Sequence, residues 1–420
     1  MLPLRRTSIL LASSCLVMIW RAQAVAQASF YGAPAPSDVV ADVDGGEPGA
    51  SAIGGIFAAR PFKMTFALRE GFDSNVFQTR DDPKSSFYTN WAAGVNYSNG
   101  DSRLKLQTSL GGGLTYYYTR PGDKVDFNGL CDLNVAYFAT PRLTFSLDTS
   151  TAYLSQPDQT IVGGNNQRNG DYVYSTTTLS ASYRWAETFS SVTSYNFSTI
   201  FYTQSDINDE LGYISQTLAQ SLRWLWKPRT TLVAEYRCNL ISYFSAGLDS
   251  LGNYLLVGFD QNFNPRFTWS LRGGLQINFN RSPVDGSSTY VGPYGQSILS
   301  YEFGPASALS WHLRYGTEAS GLPGVSQRET FRTGLAIVHA ITARISTNLT
   351  VDYQGNYYNQ SGAISSFFEN VFNIGAGVKF MMNRLISMEA GYQFSADIAP
   401  RDTAREYTRN IVFIGVNSSF

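Results

Sequence analysis

The stretch RFTWSLRGGLQINFN, residues 266–280, decides the fold. From Phe267 to Phe279 every second residue is apolar or glycine, and the residues between them are polar or glycine. Successive strand side chains point to opposite faces, so this stretch has one apolar and one polar face. Its length exceeds the usual strand of about 5–6 residues and suffices for a bilayer, which takes about 9–11. Phe267, Trp269 and Phe279 lie near the ends of the apolar face, where membrane barrels carry aromatic girdles.

The composition extends this prediction to the rest of the chain. The 420 residues carry a formal charge of −1, only 15% are charged, and 14% are aromatic, with 26 Tyr and 27 Phe. After the N-terminus, no apolar run reaches the ~18 residues of a transmembrane helix. The near-neutral charge gives no reason to expect a nucleic-acid partner.

The N-terminus has the pattern of an exported protein. Arg5 and Arg6 precede the apolar run 9–20, and Ala24-Val25-Ala26 follows as a small-residue cleavage site. The expected organisation is a signal peptide at 1–26, a flexible periplasmic segment at 27–60 and an outer-membrane β-barrel at 61–420. The bacterial outer membrane is the expected location.

Alternation starts at Phe62 and continues to Phe420, which predicts about 18 antiparallel strands, with 16 as the alternative count. The fold class is therefore all-β, an up-and-down transmembrane barrel. Short and long connections alternate, and several short ones contain Pro-Arg or Asn-Arg at a spacing of about 40 residues, the period of one hairpin. Short turns are expected in the periplasm and long loops outside. A soluble β-helix or a propeller would have shorter strands and no aromatic bands.

The end of the sequence resembles the signal that the barrel assembly machinery reads. Phe420 is a terminal aromatic residue with Gly415 five places before it. Ser418 departs from the pattern, which prefers an apolar residue there. The resemblance implies that this machinery is a partner.

Charged residues recur on the polar parity of the predicted strands, where they should line a water-filled lumen. They are Arg103, Lys105, Asp132, Asp148, Glu235, Arg237, Asp260, Arg272, Arg314, Arg332, Arg344, Asp352 and Lys379. An arginine facing lipid near the midplane would cost about 2–4 kcal/mol. Two interpretations stay open. The charges form ladders that stiffen the wall, or their cationic excess favours polyanions and polar sugar chains.

Two further interpretations concern the lumen. The loop 155–171, the third on the outside, either folds inward as a constriction or stays on the surface. Tyr117, Tyr254, Tyr290 and Tyr294 either fill space near strand ends or stack on sugar rings.

Catalysis and metal binding are not expected. His312 and His339 are the only histidines, which is too few for a zinc-type cluster. No acid partner for a Ser/His/Asp arrangement is readable beside either. Cys131 and Cys238 lie on the apolar parity of separate strands and are interpreted as small apolar residues. No cofactor is expected.

The segment FALREGFDSNVF, residues 66–77, resembles the opening of the second putative β-barrel porin family. Gly71, Asp73, Asn75 and Phe77 carry its G-x-D-S/D-N-V/I-F motif, and an Asx-rich exit from a strand is the structural alternative. The resemblance covers roughly 62–420. It implies a link to exopolysaccharide clusters and a periplasmic polysaccharide export protein as a partner.

These observations predict an outer-membrane channel in contact with lipid. The resemblance favours export of an exopolysaccharide. The alternatives are a general diffusion porin for small hydrophilic solutes and a non-conducting structural or adhesive barrel.

Overall fold

The computed structural model describes residues 62–156, 168, 170–244, 249–282, 286–322, 325–359 and 365–420. The expected signal peptide and the segment 27–60 lie outside the described residues. Within these ranges, no helix combines the length and the apolar character needed to cross a bilayer.

Eighteen strands account for nearly all of the described chain. They are β1 (Phe62–Asp73), β2 (Ser86–Gly100), β3 (Leu104–Tyr117), β4 (Val125–Thr140), β5 (Leu143–Leu154), β6 (Tyr172–Arg184), β7 (Phe189–Tyr202), β8 (Tyr213–Lys227), β9 (Thr230–Tyr243), β10 (Asp249–Asn264), β11 (Phe267–Ser282), β12 (Gly286–Gly304), β13 (Ser307–Leu322), β14 (Val325–Ala340), β15 (Ile345–Tyr358), β16 (Phe367–Met381), β17 (Ile386–Ile398) and β18 (Tyr407–Ser419). A helix α1 (Ser205–Leu211) and a 3₁₀ turn (Thr403–Arg405) lie in the loops before β8 and β18.

Each strand pairs antiparallel with its neighbours in the chain, and β1 pairs with β18, so the sheet closes on itself. Closure satisfies the backbone polar groups that lipid cannot. The predicted all-β barrel and its count of 18 strands are confirmed.

The outer face carries the apolar parity of the strands. On β11, Leu275 and Phe279 are exposed, whereas Gln276 and Asn278 on the other parity are fully buried. Aromatic pairs lie on this outer face near both ends of the strands, for example Phe263–Phe267 at one end and Tyr357–Phe368 at the other. This arrangement matches the two interfacial girdles of a membrane barrel.

The two ends of the barrel differ in their connections. Short turns at one end, called the short-turn end, are capped by side chains: the Asp101 carboxylate accepts the backbone N–H groups of Arg103 and Leu104, both at 2.7 Å. The hydrogen bonds from Leu104 and Arg103 hold the pKa of Asp101 below its usual value. Asn383 accepts two backbone N–H groups in the same way. These Asx turns explain the recurring turn residues of the sequence. The other end is called the long-loop end.

Candidate channel lumen

Most of the predicted charges lie on the inner parity of the strands. These are Lys105, Asp132, Asp148, Glu235, Arg237, Asp260, Arg272, Arg314, Arg332, Asp352 and Lys379. Arg103 and Arg344 instead lie in short turns, immediately before β3 and β15, and both are exposed. Alternation alone could not show where each turn ends and its strand begins.

Four arginines of β8 to β14 fall on one line of directly opposed residues. The line runs through Arg223, Val233, Gly258, Arg272, Gln296, Arg314 and Arg332, and is called the arginine row. Opposed residues of adjacent strands point to the same face, so all four guanidinium groups face inward. Because strands tilt relative to the barrel axis, a line of opposed residues runs obliquely along the wall, from near one end of the barrel toward the other. Arg223 lies four residues from the short-turn end of β8, and Arg332 lies eight from that of β14.

The arginine row concentrates positive charge on one line of the inner wall. Arg272 pairs with Asp260 at 2.7 Å, and Glu318 pairs with Arg332 at 2.7 Å and with Arg314 at 3.6 Å. Among the described residues, the Nε atoms of Arg223 and Arg314 have no hydrogen-bond partner. Arg314 and Arg332 thus share the carboxylate of Glu318. Next to the row, Glu235 neutralises Arg237.

The inner wall of β5 to β8 is chemically different and is called the hydroxyl arc. Its inner residues include Thr144, Ser146, Ser150, Thr176, Thr178, Ser180, Ser194, Asn196, Ser198, Ser215, Thr217 and Ser221. Ser146 and Ser180 share a hydrogen bond of 2.7 Å, and Asn196 donates to Thr176 at 3.1 Å and to Thr178 at 2.8 Å. This wall is largely neutral and water-accessible.

A hairpin from β13 and β14 leaves the wall at the long-loop end. β12 pairs with β13 only as far as Gly295 opposite Tyr315, yet β13 and β14 stay paired to Leu322 opposite Val325. Residues 316–322 and 325–330, together called the inturned hairpin, cross the inner faces of β11, β10 and β9, while Glu329 and Thr330 at its base stay paired with β15. Its contacts are Thr317 with Gln276 and Asn278, Gln327 with Ser250, and Ser320 with Tyr243. These partners all lie on inner parities, so the hairpin lies inside the barrel and narrows it.

Buried tyrosines pack against the inturned hairpin. Ala319 joins a cluster, called the aromatic cluster, with Tyr172, Ile200, Tyr202, Leu211, Tyr213, Ile241 and Tyr243. Leu211 belongs to α1, which brings the loop between β7 and β8 into the same packing. The four tyrosines considered for sugar stacking do not belong to this cluster. Tyr254 and Tyr294 pack on each other at a centroid distance of 5.3 Å, and both are buried.

The family-like motif forms a buried turn at the end of β1. Asp73 is fully buried and accepts hydrogen bonds from Arg409 of β18 and from the backbone N–H of Asn75 at 3.0 Å. The Asn75 side chain accepts the N–H of Thr79 at 3.1 Å and donates to its carbonyl at 2.7 Å. A Cβ on Gly71 would lie 2.5 Å from the Tyr88 ring, which explains the glycine. Phe77 packs partly buried beside Val76, Tyr88 and Tyr117. The motif therefore fixes the first loop onto the closing strands.

The residues of the expected assembly signal lie at the seam between β1 and β18. Gly415 is opposite Arg69, whose side chain passes over it to pair with Glu389 of β17. The backbone of Phe420 exchanges two hydrogen bonds with Met64, and its ring lies 6.4 Å from that of Phe66. Whatever the assembly machinery reads, these residues also hold the seam closed.

Sequence reasoning missed several buried charges near the long-loop end. Arg409 pairs with Asp73, Arg405 pairs with Glu369 at 2.7 Å, and Arg328 donates to Tyr358 at 3.1 Å. Arg409 and Gly415 share one parity of β18, so the alternation contained a signal for Arg409. Arg405 belongs to a loop turn, where no alternation exists.

The loop 155–171 is described only in part. Arg168, near its end, pairs with Asp126 of β4 and lies 3.4 Å from the carbonyl of Val76 in the first loop. Residues 157–167 and 169 of this loop lie outside the described residues. Inward folding of this loop stays a prediction, whereas β13 and β14 provide an inward element that the sequence did not indicate.

Comparison with known proteins gives a family and a set of similar folds. The family model "Putative beta-barrel porin 2" matches residues 55–420. No curated protein matches the chain.

The solved structures with similar folds include OccAB4 of Acinetobacter baumannii, with 11% identity, 86% of this chain and 99% of that one covered, and a TM-score of 0.44. OpdK of Pseudomonas aeruginosa with vanillate has 8% identity, the same coverages and a TM-score of 0.45. OccK9 of the same organism has 9% identity, coverages of 86% and 98%, and a TM-score of 0.46.

The resemblance expected from residues 66–77 is thereby confirmed, as is the outer-membrane location. The chain belongs to the putative beta-barrel porin 2 family, as an outer-membrane β-barrel of the porin type.

Proposed function

We propose that this barrel is a passive channel for small hydrophilic solutes that prefers anions. The arginine row carries the proposal, because it places four inward guanidinium groups on one line of the lumen wall. Like charges fixed along a low-dielectric wall raise the local concentration of the opposite ion.

The size of the solute follows from how the lumen is filled. Eighteen strands enclose more space than wall side chains alone can fill. The inturned hairpin and the aromatic cluster occupy part of the long-loop end, and Tyr243, Glu318 and Arg328 there are each at most 7% exposed. A narrowed, polar path supports small solutes over a polymer. Export of an exopolysaccharide, which the family resemblance favoured, has no comparable support.

Planar-bilayer recording across a KCl gradient tests the proposal. The wild-type reversal potential should indicate an anion preference, and replacing Arg223, Arg272, Arg314 and Arg332 by Gln should largely remove it. Replacing the exposed Arg103 and Arg344 by Gln is the matched control and should leave it unchanged. Raising KCl from 0.1 M to 1 M should weaken the wild-type preference, since the Debye length falls from about 10 Å to about 3 Å.

The outcomes separate the three candidate functions. Absence of conductance from folded protein would favour a structural or adhesive barrel and contradict the proposal. Loss of surface polymer on gene deletion, with unchanged uptake of small solutes, would favour export. An equal anion preference in the wild type and in the variant with all four arginines replaced would mean that these arginines stiffen the wall and do not select ions.

A further inference from the structure

The inturned hairpin has left an unfilled place in the barrel wall. Beyond Gly295, β12 continues for nine residues to Gly286, paired there with β11 alone. Extending the β12–β13 register would place Gly316 opposite Tyr294 and Ala319 opposite Val291. Most of this stretch of β12 is exposed. The hairpin therefore has two sites that match it, the observed one inside the lumen and a vacant one in the wall.

The sequence has distinctive residues at the position where β13 separates from β12. Pro293 of β12 lies two residues beyond Gly295, the last β12 residue paired with β13, and proline is tolerated in sheets where a strand has a free edge. Opposite the same region, a Cβ on Gly316 would lie 2.7 Å from the Tyr294 ring. Gly316 thus lets β13 bend inward across Tyr294. Proline and glycine at these two positions favour separation of the strands where it occurs.

The contacts that hold the hairpin inside are mainly polar. Thr317, Ser320 and Gln327 are hydrogen-bonded to β11, β9 and β10, and Glu318 lies among Arg314, Arg328 and Arg332. Ala319 supplies an apolar contact at the aromatic cluster, and Val325 packs with Tyr358 and Phe367. Water can replace polar contacts of this kind, and the wall offers a ladder of backbone hydrogen bonds in exchange.

Glu318 joins the inturned hairpin to its own base, because its ion partners Arg314, Arg328 and Arg332 all lie on β13 and β14. Arg314 and Arg332 stay paired in the wall, so these contacts close the bend at which the hairpin turns inward. The Glu318 side chain is 1% exposed, and the three arginines lie within 4.0 Å, two of them members of the arginine row. Neutralising Glu318 would remove attraction to all three at once and leave its buried arginines without their shared partner.

We infer that the inturned hairpin sets the size limit of the channel and exchanges with the vacant place beside β12, with Glu318 as its latch. In the wall position the hairpin completes the β12–β13 pairing and the long-loop end of the lumen widens. This inference rests on the proposed function, because it assigns the solute size selection of that channel to one element.

Disulfide trapping tests both positions. In a background with Cys131 and Cys238 replaced by Ala, the pair Ser250→Cys and Gln327→Cys links the hairpin to β10 in the observed position. The pair Val291→Cys and Ala319→Cys can close only with the hairpin in the wall, because Ala319 otherwise packs at Tyr243. Both should form under mild oxidation of the folded barrel, scored by gel mobility. The first disulfide should give the smaller conductance, and the smaller size limit for sugars in liposome swelling. The second disulfide should give larger values of both. A reductant should restore the unlinked behaviour in each case.

A latch variant sharpens the test. Glu318→Gln should speed formation of the wall disulfide several-fold, whereas Glu329→Gln, on the same hairpin beside Tyr315, should not. Failure of the wall pair to close, while the inner pair closes, would overturn the exchange. Equal conductance of the two trapped forms would overturn the role in size selection. Absence of all conductance would contradict the proposed function and the role in size selection with it, whereas the exchange of positions would still be decided by the gel readout of the two disulfides.

Discussion

The hydroxyl arc and the charged wall of β9 to β18 with β1 face the same water and are built differently. The arc uses neutral groups such as Ser146, Ser180 and Asn196, whose hydrogen bonds compete with water. The charged wall uses ion pairs that are nearly dry, such as Arg409 with Asp73 and Arg69 with Glu389. The contrast teaches that one side of the lumen relies on hydrogen bonds that compete with water, and the other on buried ion pairs. Substitutions that remove contacts on the two sides should therefore differ in how much they lower the free energy of unfolding.

Replacing Arg409 by Met should have the largest effect on stability. It leaves the buried Asp73 without its ion partner, and breaking such a pair costs about 3–5 kcal/mol. Urea unfolding of the folded barrel in detergent measures the loss. Lys84→Met, which removes an exposed pair with Asp82, is the control and should cost at most about 1 kcal/mol. Equal losses would mean that burial of the seam pair does not matter.

Replacing Gly415 by Ala should have a smaller effect on the same wall. The new Cβ would lie 2.8 Å from the Cγ of Arg69 and 2.9 Å from the carbonyl oxygen of Leu68, so the seam must shift. Overpacking of this kind costs about 1–3 kcal/mol. Gly112→Ala is the matched control, because the nearest atom to its Cβ would be 3.7 Å away. A Gly415 variant as stable as the Gly112 variant in the urea measurement would contradict the packing at the seam.

Replacing Asn196 by Ala in the hydroxyl arc should have the smallest effect. The change removes two hydrogen bonds to Thr176 and Thr178 that water can partly replace, so about 0.5–1.5 kcal/mol should be lost. Ser198→Ala, at the next inner position of β7, is the comparison. The reversal potential should stay at the wild-type value in both variants, and a marked shift would show that the neutral arc also takes part in ion selection.

The wall of the barrel was predictable from the sequence because alternation is local. The stretch 266–280 and the structural strand Phe267–Ser282 agree within two residues, and the same rule placed Arg272 and Gln276 on the inner face. Register then follows from short turns such as that of Asn383, whose side-chain caps are also local. The arginine row needed the register of seven strands, which alternation within a single strand does not supply.

The inturned hairpin was not predictable in the same way. Beyond Tyr315 and Phe331 the outer parity of β13 and β14 becomes polar, with Thr317, Gln327 and Glu329, which indicates that this part leaves the lipid but not where it goes. Its position depends on contacts between distant strands, such as Ser320 with Tyr243. Gly292-Pro293 interrupts the strand pattern of β12 in the sequence, but a proline alone does not show whether β11 or β13 separates from β12 there. The same limit applies to Arg405, whose partner Glu369 lies 36 positions away.

Pro293 also affects how the protein behaves among its neighbours in a crowded membrane. A bare strand edge is a template on which other molecules can add strands, which leads to fibres and irreversible clumping. Proline withholds one donor from that edge, and Gly292 beside it contributes no side chain to an incoming strand. The interruption at which β13 bends inward thus also makes the exposed edge of β12 a poorer template for a foreign strand than an uninterrupted edge would be.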